Sequence, residues 1–109
     1  KQMKLFFPFL FILIATVVPA GAGPAACVEN GTGEPLYFTV QSRTGGARIG
    51  ATLPPGAELC LSDVHPAIFT AFASATSVEG CPRLSGADGR DTLLHFLPTD
   101  SCRWASHGQ

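Results

Sequence analysis

Basic side chains are scarce in this sequence: no lysine occurs after Lys4, and only five arginines follow the first 22 residues. Eight carboxylates oppose them there, which gives that part of the chain a formal charge of −3, five minus eight. Nucleic acids and anionic lipid surfaces are bound by clustered basic side chains, whereas these arginines are scattered. The sequence therefore predicts neither a nucleic-acid-binding surface nor one that binds anionic lipid.

Catalytic and metal-binding motifs are absent as well. No serine lies in a G-x-S-x-G elbow, and no C-x-x-C pair is present for a zinc, redox or haem site. The histidines His65, His95 and His107 stand 30 and 12 residues apart, unlike the short spacings of metal ligands. Asp88 and Asp91 flank a glycine but lack the terminal glutamate of a calcium loop. We therefore expect no enzymatic activity, no cofactor and no bound metal.

The longest uncharged run lies near the start of the sequence. Leu5 to Val18, 14 residues, follows Lys1 and Lys4 and precedes a run of small and helix-breaking residues over 19–26. A spanning helix needs about 20 apolar residues, whereas a signal core needs about 7 to 15. The pattern therefore predicts a secretory signal over residues 1–22, whose removal would leave 87 residues.

Two other fates of this segment remain open. The uncharged stretch continues to Val28, 24 residues from Leu5, so segment 1–22 can instead be retained as a membrane anchor sheltered by a partner. In the other alternative, Cys27 carries a lipid, because the residues before it look like the end of a bacterial lipobox. Pro24 argues against lipidation, since that motif has an aliphatic residue at its position. In each case the rest of the chain is exported, to the periplasmic side of a bacterial cytoplasmic membrane, or to the periplasm or medium after cleavage.

Four cysteines are expected to cross-link the exported part. A domain this small buries too little apolar surface to offset its chain entropy comfortably, and an even number of cysteines in an exported chain indicates disulfides. In an up-and-down meander, successive connections alternate between the two ends of the sheet. Cys27, before the first strand, and Cys81, after the fourth, then lie at one end of the sheet. Cys60, at the end of the third strand, and Cys102, after the fifth, lie at the other end, so the predicted pairs are Cys27–Cys81 and Cys60–Cys102.

Five apolar or alternating segments separated by Gly and Pro turns predict strands, over residues 36–42, 47–53, 57–62, 67–74 and 92–97. The segment 67–74 is the most continuously apolar, which suits a central strand covered on both faces. Residues 23–35 are expected to be a turn-rich entry, including a turn at the Asn30-Gly31-Thr32 sequon. The predicted fold is all-β: a small, mostly antiparallel, five-stranded sandwich or half-barrel over 36–109, stapled by disulfides, behind an N-terminal hydrophobic helix.

The candidate contact residues lie at the two ends of the sequence. Arg103 and Trp104 are of types enriched at binding hot spots, although Trp104 can equally finish a small core. Phe6, Phe7 and Phe9 are free to contact lipid or a neighbouring helix.

These residues favour a non-enzymatic accessory or binding module, anchored by its N-terminal segment to a larger transmembrane protein complex. The alternative is a free periplasmic or secreted domain that binds a small ligand or inhibits an enzyme after signal cleavage. Contact with the membrane is expected only where the N-terminal segment is retained.

Overall fold

The computed structural model describes residues 25–62, 66–86, 88–97 and 101–108. Residues 1–24, with the expected signal or anchor helix and Phe6, Phe7 and Phe9, lie outside these ranges, as does His65. The described residues form an all-β domain. Its elements in chain order are β1 (Ala25–Asn30), β2 (Leu36–Ser42), β3 (Arg48–Leu53), β4 (Glu58–Ser62), β5 (Ala67–Phe72), β6 (Cys81–Leu84), β7 (Arg90–His95), β8 (Arg103–Trp104) and a 3₁₀ helix (Ala105–Gly108).

Two four-stranded sheets make up the domain. Sheet A has the order β4-β1-β7-β8, and sheet B has the order β3-β2-β5-β6. Every pair is antiparallel except β1 with β7, which is parallel. The chain changes sheets four times, between β1 and β2, β3 and β4, β4 and β5, and β6 and β7. The architecture is therefore a β-sandwich whose sheets are interwoven along the chain.

The core lies between the inner faces of the two sheets. Strands β2 and β5 alternate, so that every second side chain points inward, and Phe38 and Phe69 are fully buried there. Each large apolar side chain contributes roughly 2 kcal/mol when it is fully buried. The buried cluster draws on both sheets and consists of Ala26, Val28, Leu36, Phe38, Val40, Leu53, Ala67, Phe69, Ala71, Leu93 and Trp104.

A tight turn joins β3 to β4 and carries the chain from sheet B to sheet A. The amide N of Ala57 donates to the carbonyl O of Pro54 at 3.0 Å, and Gly56 has φ of 85°. Proline at the second turn position and glycine at the third are what a type II turn requires. The Gly and Pro turn expected between the predicted strands 47–53 and 57–62 is confirmed.

The predicted all-β class is confirmed: β2, β3, β4 and β5 lie within four of the predicted segments, and β7 overlaps the fifth, starting two residues before it. The predicted strand count is wrong, because β1, β6 and β8 are strands too. Residues 25–30, expected to belong to a turn-rich entry, instead form a central strand of sheet A. Residues 81–84 lie outside the predicted strands but form β6, an edge strand, where the missing amide hydrogen of Pro82 is tolerated.

All four cysteines form disulfides, as predicted, but the predicted pairing is wrong. The bonds are Cys27–Cys60, with Cα atoms 4.1 Å apart, and Cys81–Cys102, with Cα atoms 6.1 Å apart. The meander assumption failed because β1 pairs directly with β4, which sets Cys27 opposite Cys60. Each disulfide therefore joins neighbours in the sequence order of cysteines, not alternate ones.

Candidate binding surface

The outer face of sheet A is mostly polar, and two of its charged side chains form an ion pair. The guanidinium of Arg90 forms an ion pair with the carboxylate of Glu58. The hydroxyl of Thr92 donates to the carboxylate of Glu29 at 3.3 Å. The disulfide between β1 and β4 lies on the same face, since its cysteines alternate with inward-pointing residues. Four polar side chains of this face, Glu29, Glu58, Arg90 and Thr92, thus have partners within the chain, whereas Leu94 and Arg103 are exposed.

The outer face of sheet B has a different composition. Alternation and strand register place eleven residues on it: Tyr37, Thr39, Gln41, Arg48, Gly50, Thr52, Ile68, Thr70, Phe72, Pro82 and Leu84. Arg48, on the edge strand β3, is the one charged residue in this set. The rest are aromatic, aliphatic, hydroxyl-bearing, amide or glycine. We call these eleven residues the sheet B face.

Two aromatic rings lie low across the sheet B face because glycines leave room beneath them. A Cβ on Gly50 would stand 2.2 Å from the Tyr37 hydroxyl oxygen, and a Cβ on Gly80 would stand 2.6 Å from a ring carbon of Phe72. The centroids of the Tyr37 and Phe72 rings are 6.1 Å apart, within the range of favourable aromatic pairs. The rings of Tyr37 and Phe72 therefore lie close to the backbone of the neighbouring chain segments.

Strand β5 explains why this surface is apolar. Its inward side chains Ala67, Phe69 and Ala71 are fully buried, whereas Ile68 and Phe72 on the other side are only half-buried. The continuous apolar sequence predicts cover on both faces, and the described residues supply full cover on one. Sequence analysis did not assign this face to binding, although the apolar residues on the second side of β5 were its signal.

Exposure and charge vary across the sheet B face. Leu84 is 51% exposed, one of the few large apolar side chains that face solvent among the described residues. Exposed Arg43 and Arg48 lie where β2 ends and β3 begins. Exposed Glu34 and Glu79 lie at the opposite end, just before β2 and β6. No ion pair joins any of these four side chains to another described residue.

The carboxylate of Asp91 is buried and hydrogen-bonded within the chain. Asp91, whose side chain is 1% exposed, accepts bonds from the Ser106 hydroxyl at 2.5 Å, the Ser106 amide at 3.1 Å and the Thr92 amide at 2.8 Å. The Nε of Arg83 lies 3.6 Å from the same carboxylate and donates to the Ser106 hydroxyl at 2.8 Å. A buried charge is tolerated when it is paired and hydrogen-bonded in this way. The cluster ties β6, β7 and the 3₁₀ helix together.

This cluster lacks the arrangement of a nucleophilic serine. Such a serine gives its proton to a base, usually histidine, in the reaction. The described partners of Ser106 are Asp91 and Arg83, and the Nδ1 of the nearby His107 instead accepts the Trp104 amide at 3.1 Å.

Beside the cluster lies an open cavity of about 430 Å³, lined by Gly86, Asp88, Arg90, Asp91, Thr92, Ala105 and Ser106.

The structure separates the two predicted contact residues at the C-terminal end. Trp104 is 2% exposed and belongs to the core, whereas Arg103 is exposed. Of the two roles considered for Trp104, contact with a partner or completion of the core, its burial favours the core. The exposed surface near it retains only Arg103 of the predicted pair.

Cys27 and its neighbours offer neither a lipid attachment site nor a metal site. The Sγ of Cys27 is bonded to Cys60, so it is not free to carry a lipid. Glu58 lies with these two sulfurs in a cluster of metal-ligand type, but a disulfide removes both thiolates and leaves one carboxylate. That carboxylate is already paired with Arg90.

The Asn30 side chain holds a turn, as expected for the sequon. Its amide nitrogen donates to the carbonyl oxygens of Glu34 at 2.9 Å and Leu53 at 2.8 Å. Its carbonyl oxygen accepts the amide and hydroxyl of Thr32 at 2.9 and 2.7 Å. The residue is fully buried, so all of its hydrogen-bonding groups are used within the fold.

Among the described residues, no helix has the length and apolar content of a membrane span. The uncharged run Leu5–Val18 lies outside those residues. Comparison with known proteins gave no family model, no curated protein and no solved structure that matches the chain.

Proposed function

We propose that this chain is an exported, non-enzymatic binding module that contacts a protein partner through the sheet B face. The observation that carries the proposal is the contrast between the two outer faces. Sheet A pairs Arg90 with Glu58 and Thr92 with Glu29 and carries one exposed leucine, Leu94. Sheet B presents the exposed Leu84 together with half-buried Tyr37, Ile68 and Phe72. Exposed apolar surface of this kind marks sites of protein interaction.

The shape and charge of the sheet B face favour a protein over other partners. Small molecules bind in concave sites that enclose most of their surface, whereas this is the open outer face of a sheet. Nucleic acid requires clustered positive charge, and the face carries Arg48 alone. Aromatic side chains and leucine that are partly exposed are suited to a protein interface.

Attachment to a larger membrane complex extends the same proposal. Two disulfides support an exported location, because such bonds persist in oxidising compartments. If segment 1–22 is retained, it tethers the domain beside the membrane and raises the effective concentration of the sheet B face near a membrane partner. Phe6, Phe7 and Phe9 are then proposed to contact lipid or a neighbouring helix.

Site-specific photo-crosslinking in cells tests the proposal. A photoreactive phenylalanine derivative replaces Leu84 on the sheet B face in one variant and Leu94 on sheet A in a matched variant. The two leucines are 51% and 46% exposed, so their intrinsic reactivity toward neighbours is comparable. We expect a discrete protein adduct from position 84 and none from position 94. An adduct from position 94 with none from position 84 would contradict the proposal.

The open cavity beside Asp91 supports a second candidate, a free domain that binds a small polar ligand. Its volume of about 430 Å³ falls within the range of small-molecule sites. Native mass spectrometry of the protein purified from its own host tests this function. A retained small-molecule adduct that disappears in a Gly86→Trp variant would support it, and a bare polypeptide mass would count against it.

A further inference from the structure

The loop between β5 and β6 carries the most exposed large apolar side chain among the described residues. Val78 is 91% exposed, and the next, Leu84, is 51% exposed. The two strands pair as far as Ala71 and Cys81, and residues 73–80 connect them beyond that point. An apolar side chain gains free energy when another surface removes it from water. Val78 is therefore available to a pocket on another molecule.

Hydrogen bonds within the loop fix its first half. The Ser77 amide donates to the carbonyl oxygen of Ser74 at 3.1 Å, and the Ser74 amide donates to the Ser77 hydroxyl at 3.1 Å. The Ser74 hydroxyl lies 3.2 Å from the hydroxyl of Thr76 and 3.1 Å from that of Ser77. These bonds close a turn over residues 74–77, which comes directly before Val78.

The second half of the loop is held against the sandwich. A Cβ on Gly80 would stand 2.6 Å from the carbonyl oxygen of Ala71, so the backbone at Gly80 packs directly on β5. The next residue, Cys81, begins β6 and is held by a disulfide. Val78 and Glu79 thus lie between two fixed points, a hydrogen-bonded turn and a disulfide-linked strand.

The backbone of Val78 and Glu79 is free to pair with another chain. No backbone hydrogen bond joins either residue to another described residue, and both side chains are exposed. An extended segment can bind to another protein as an added strand, through its backbone groups. Serine endopeptidases also receive one side chain of the bound segment in a specificity pocket. A segment that is held at both ends loses little conformational entropy when it binds.

From these features we propose that the loop 73–80 inhibits a serine endopeptidase by occupying its active-site cleft, with Val78 in a small apolar specificity pocket. Valine fits a small pocket such as that of elastase, whereas the pocket of trypsin contains a carboxylate and receives a cation. Binding is non-covalent, and the loop acts by excluding the substrate. The interaction uses the loop rather than the sheet B face, so it is independent of the function proposed above.

The two fixed ends of the loop set the expected strength of inhibition. Interfaces between proteases and their inhibitors are of standard size yet are among the tightest known. The turn before Val78 and the packed backbone after Glu79 reduce the entropy lost on binding, as in other rigid loops. We therefore expect an inhibition constant for elastase in the nanomolar range, on the order of 1 to 100 nM.

Exchange of the pocket residue provides the sharpest test, because it predicts which enzyme is inhibited. The full chain is titrated against elastase and against trypsin, with the rate of substrate hydrolysis as the measurement. The wild type should inhibit elastase and should inhibit trypsin about 100-fold more weakly. Val78→Arg should reverse this preference, because its cation suits the trypsin pocket. Val78→Asp should inhibit elastase about 100-fold more weakly than the wild type, because an unpaired charge is costly in an apolar pocket.

Leu94→Asp is the matched control, since Leu94 is an exposed apolar residue on sheet A, and it should inhibit elastase as the wild type does. Circular dichroism verifies the folding of each variant. A wild type that leaves elastase uninhibited at micromolar concentration, a Val78→Asp variant as inhibitory as the wild type, or a Val78→Arg variant that does not inhibit trypsin would each overturn the proposal. Rapid cleavage of the loop by elastase in place of inhibition, detected by mass spectrometry, would overturn it as well. The crosslinks expected from position 84 do not depend on Val78, so failure of the inhibitor leaves the function proposed for the sheet B face standing.

Discussion

At the scale of single residues, the polar side chain of Asn30 is buried as completely as the apolar side chains of the core. It lies at the end of β1, between the β1–β2 connection and the end of β3, and all four of its described side-chain bonds are made with the protein. The backbone carbonyls of Glu34 and Leu53 accept bonds from its amide, and the Leu53 bond is buried. A buried group that loses its partner costs more than the bond itself contributed.

We therefore expect Asn30→Ala to lower the free energy of unfolding by about 3 kcal/mol, because it takes the Asn30 donor from the buried Leu53 carbonyl and from the Glu34 carbonyl and leaves Thr32 without its acceptor. Thr32→Ala removes one hydroxyl from the same turn but leaves those carbonyls bonded, so it should cost about 1 kcal/mol. Urea denaturation of both variants measures the difference. Equal effects would mean that the Asn30 amide is not the group that holds the turn.

Trp104 and Arg103 are neighbours in the chain with opposite environments. Trp104 is buried in the core, so Trp104→Ala should lower the free energy of unfolding by about 3 to 5 kcal/mol through lost burial and a cavity. Arg103→Ala should change it by about 0.5 kcal/mol or less, since the side chain is exposed. Thermal or urea unfolding followed by circular dichroism checks both. A neutral Trp104→Ala would show that the tryptophan is not a core residue.

At the scale of elements, the two disulfides fasten different parts of the sandwich. Cys27–Cys60 joins β1 to β4 within sheet A, and Cys81–Cys102 joins β6 of sheet B to the segment before β8 of sheet A. Their sequence separations are 33 and 21 residues. In the chain-entropy account, loops of these lengths constrain the unfolded chain by similar amounts.

Removing either bond by paired alanine substitution should cost about 3 to 4 kcal/mol, with the Cys27–Cys60 pair costing slightly more because its loop is longer. Non-reducing peptide mapping of the wild type should return these two linkages only. Recovery of Cys27 joined to Cys81 would restore the meander and contradict the sandwich topology.

Local sequence patterns predicted the elements better than their arrangement. Alternation in Leu36–Ser42 and the apolar run in Ala67–Phe72 were sufficient to predict β2 and β5, because side-chain periodicity is a local property. The pairing of β1 with β4 and the parallel pairing of β1 with β7 depend on residues far apart in sequence. No local pattern specifies these contacts, and for that reason the disulfide pairing was predicted wrongly.

The candidate surface was hidden from sequence analysis for a related reason. Each strand of sheet B contributes only two or three residues to the face, and their register brings Tyr37, Phe72 and Leu84 onto one side. Gly50 and Gly80 read as turn or bulge signals in sequence. Their role beneath two aromatic rings appears only when the neighbouring strands are in place.

At the scale of the whole molecule, the domain presents two unlike surfaces on opposite sides of one core. The outer side of sheet A carries an ion pair and a disulfide, and the outer side of sheet B carries the exposed Leu84 and the half-buried rings of Tyr37 and Phe72. The central claim of the account is that sheet B is covered by protein in the native assembly. The claim states that the outer face of sheet B, rather than that of sheet A, contacts protein, and it does not depend on which protein that partner is.

Hydroxyl-radical footprinting tests that claim most directly, by comparing side-chain oxidation in the native cell envelope with that of the dilute purified chain. The account predicts lower oxidation rates at Tyr37 and Phe72 on the sheet B face in the native envelope. Leu94 and Leu97, which are 46% and 39% exposed and lie on or beyond β7 of sheet A, should oxidise at the same rate in both samples. Protection of Leu94 and Leu97 with no change at Tyr37 and Phe72 would contradict it.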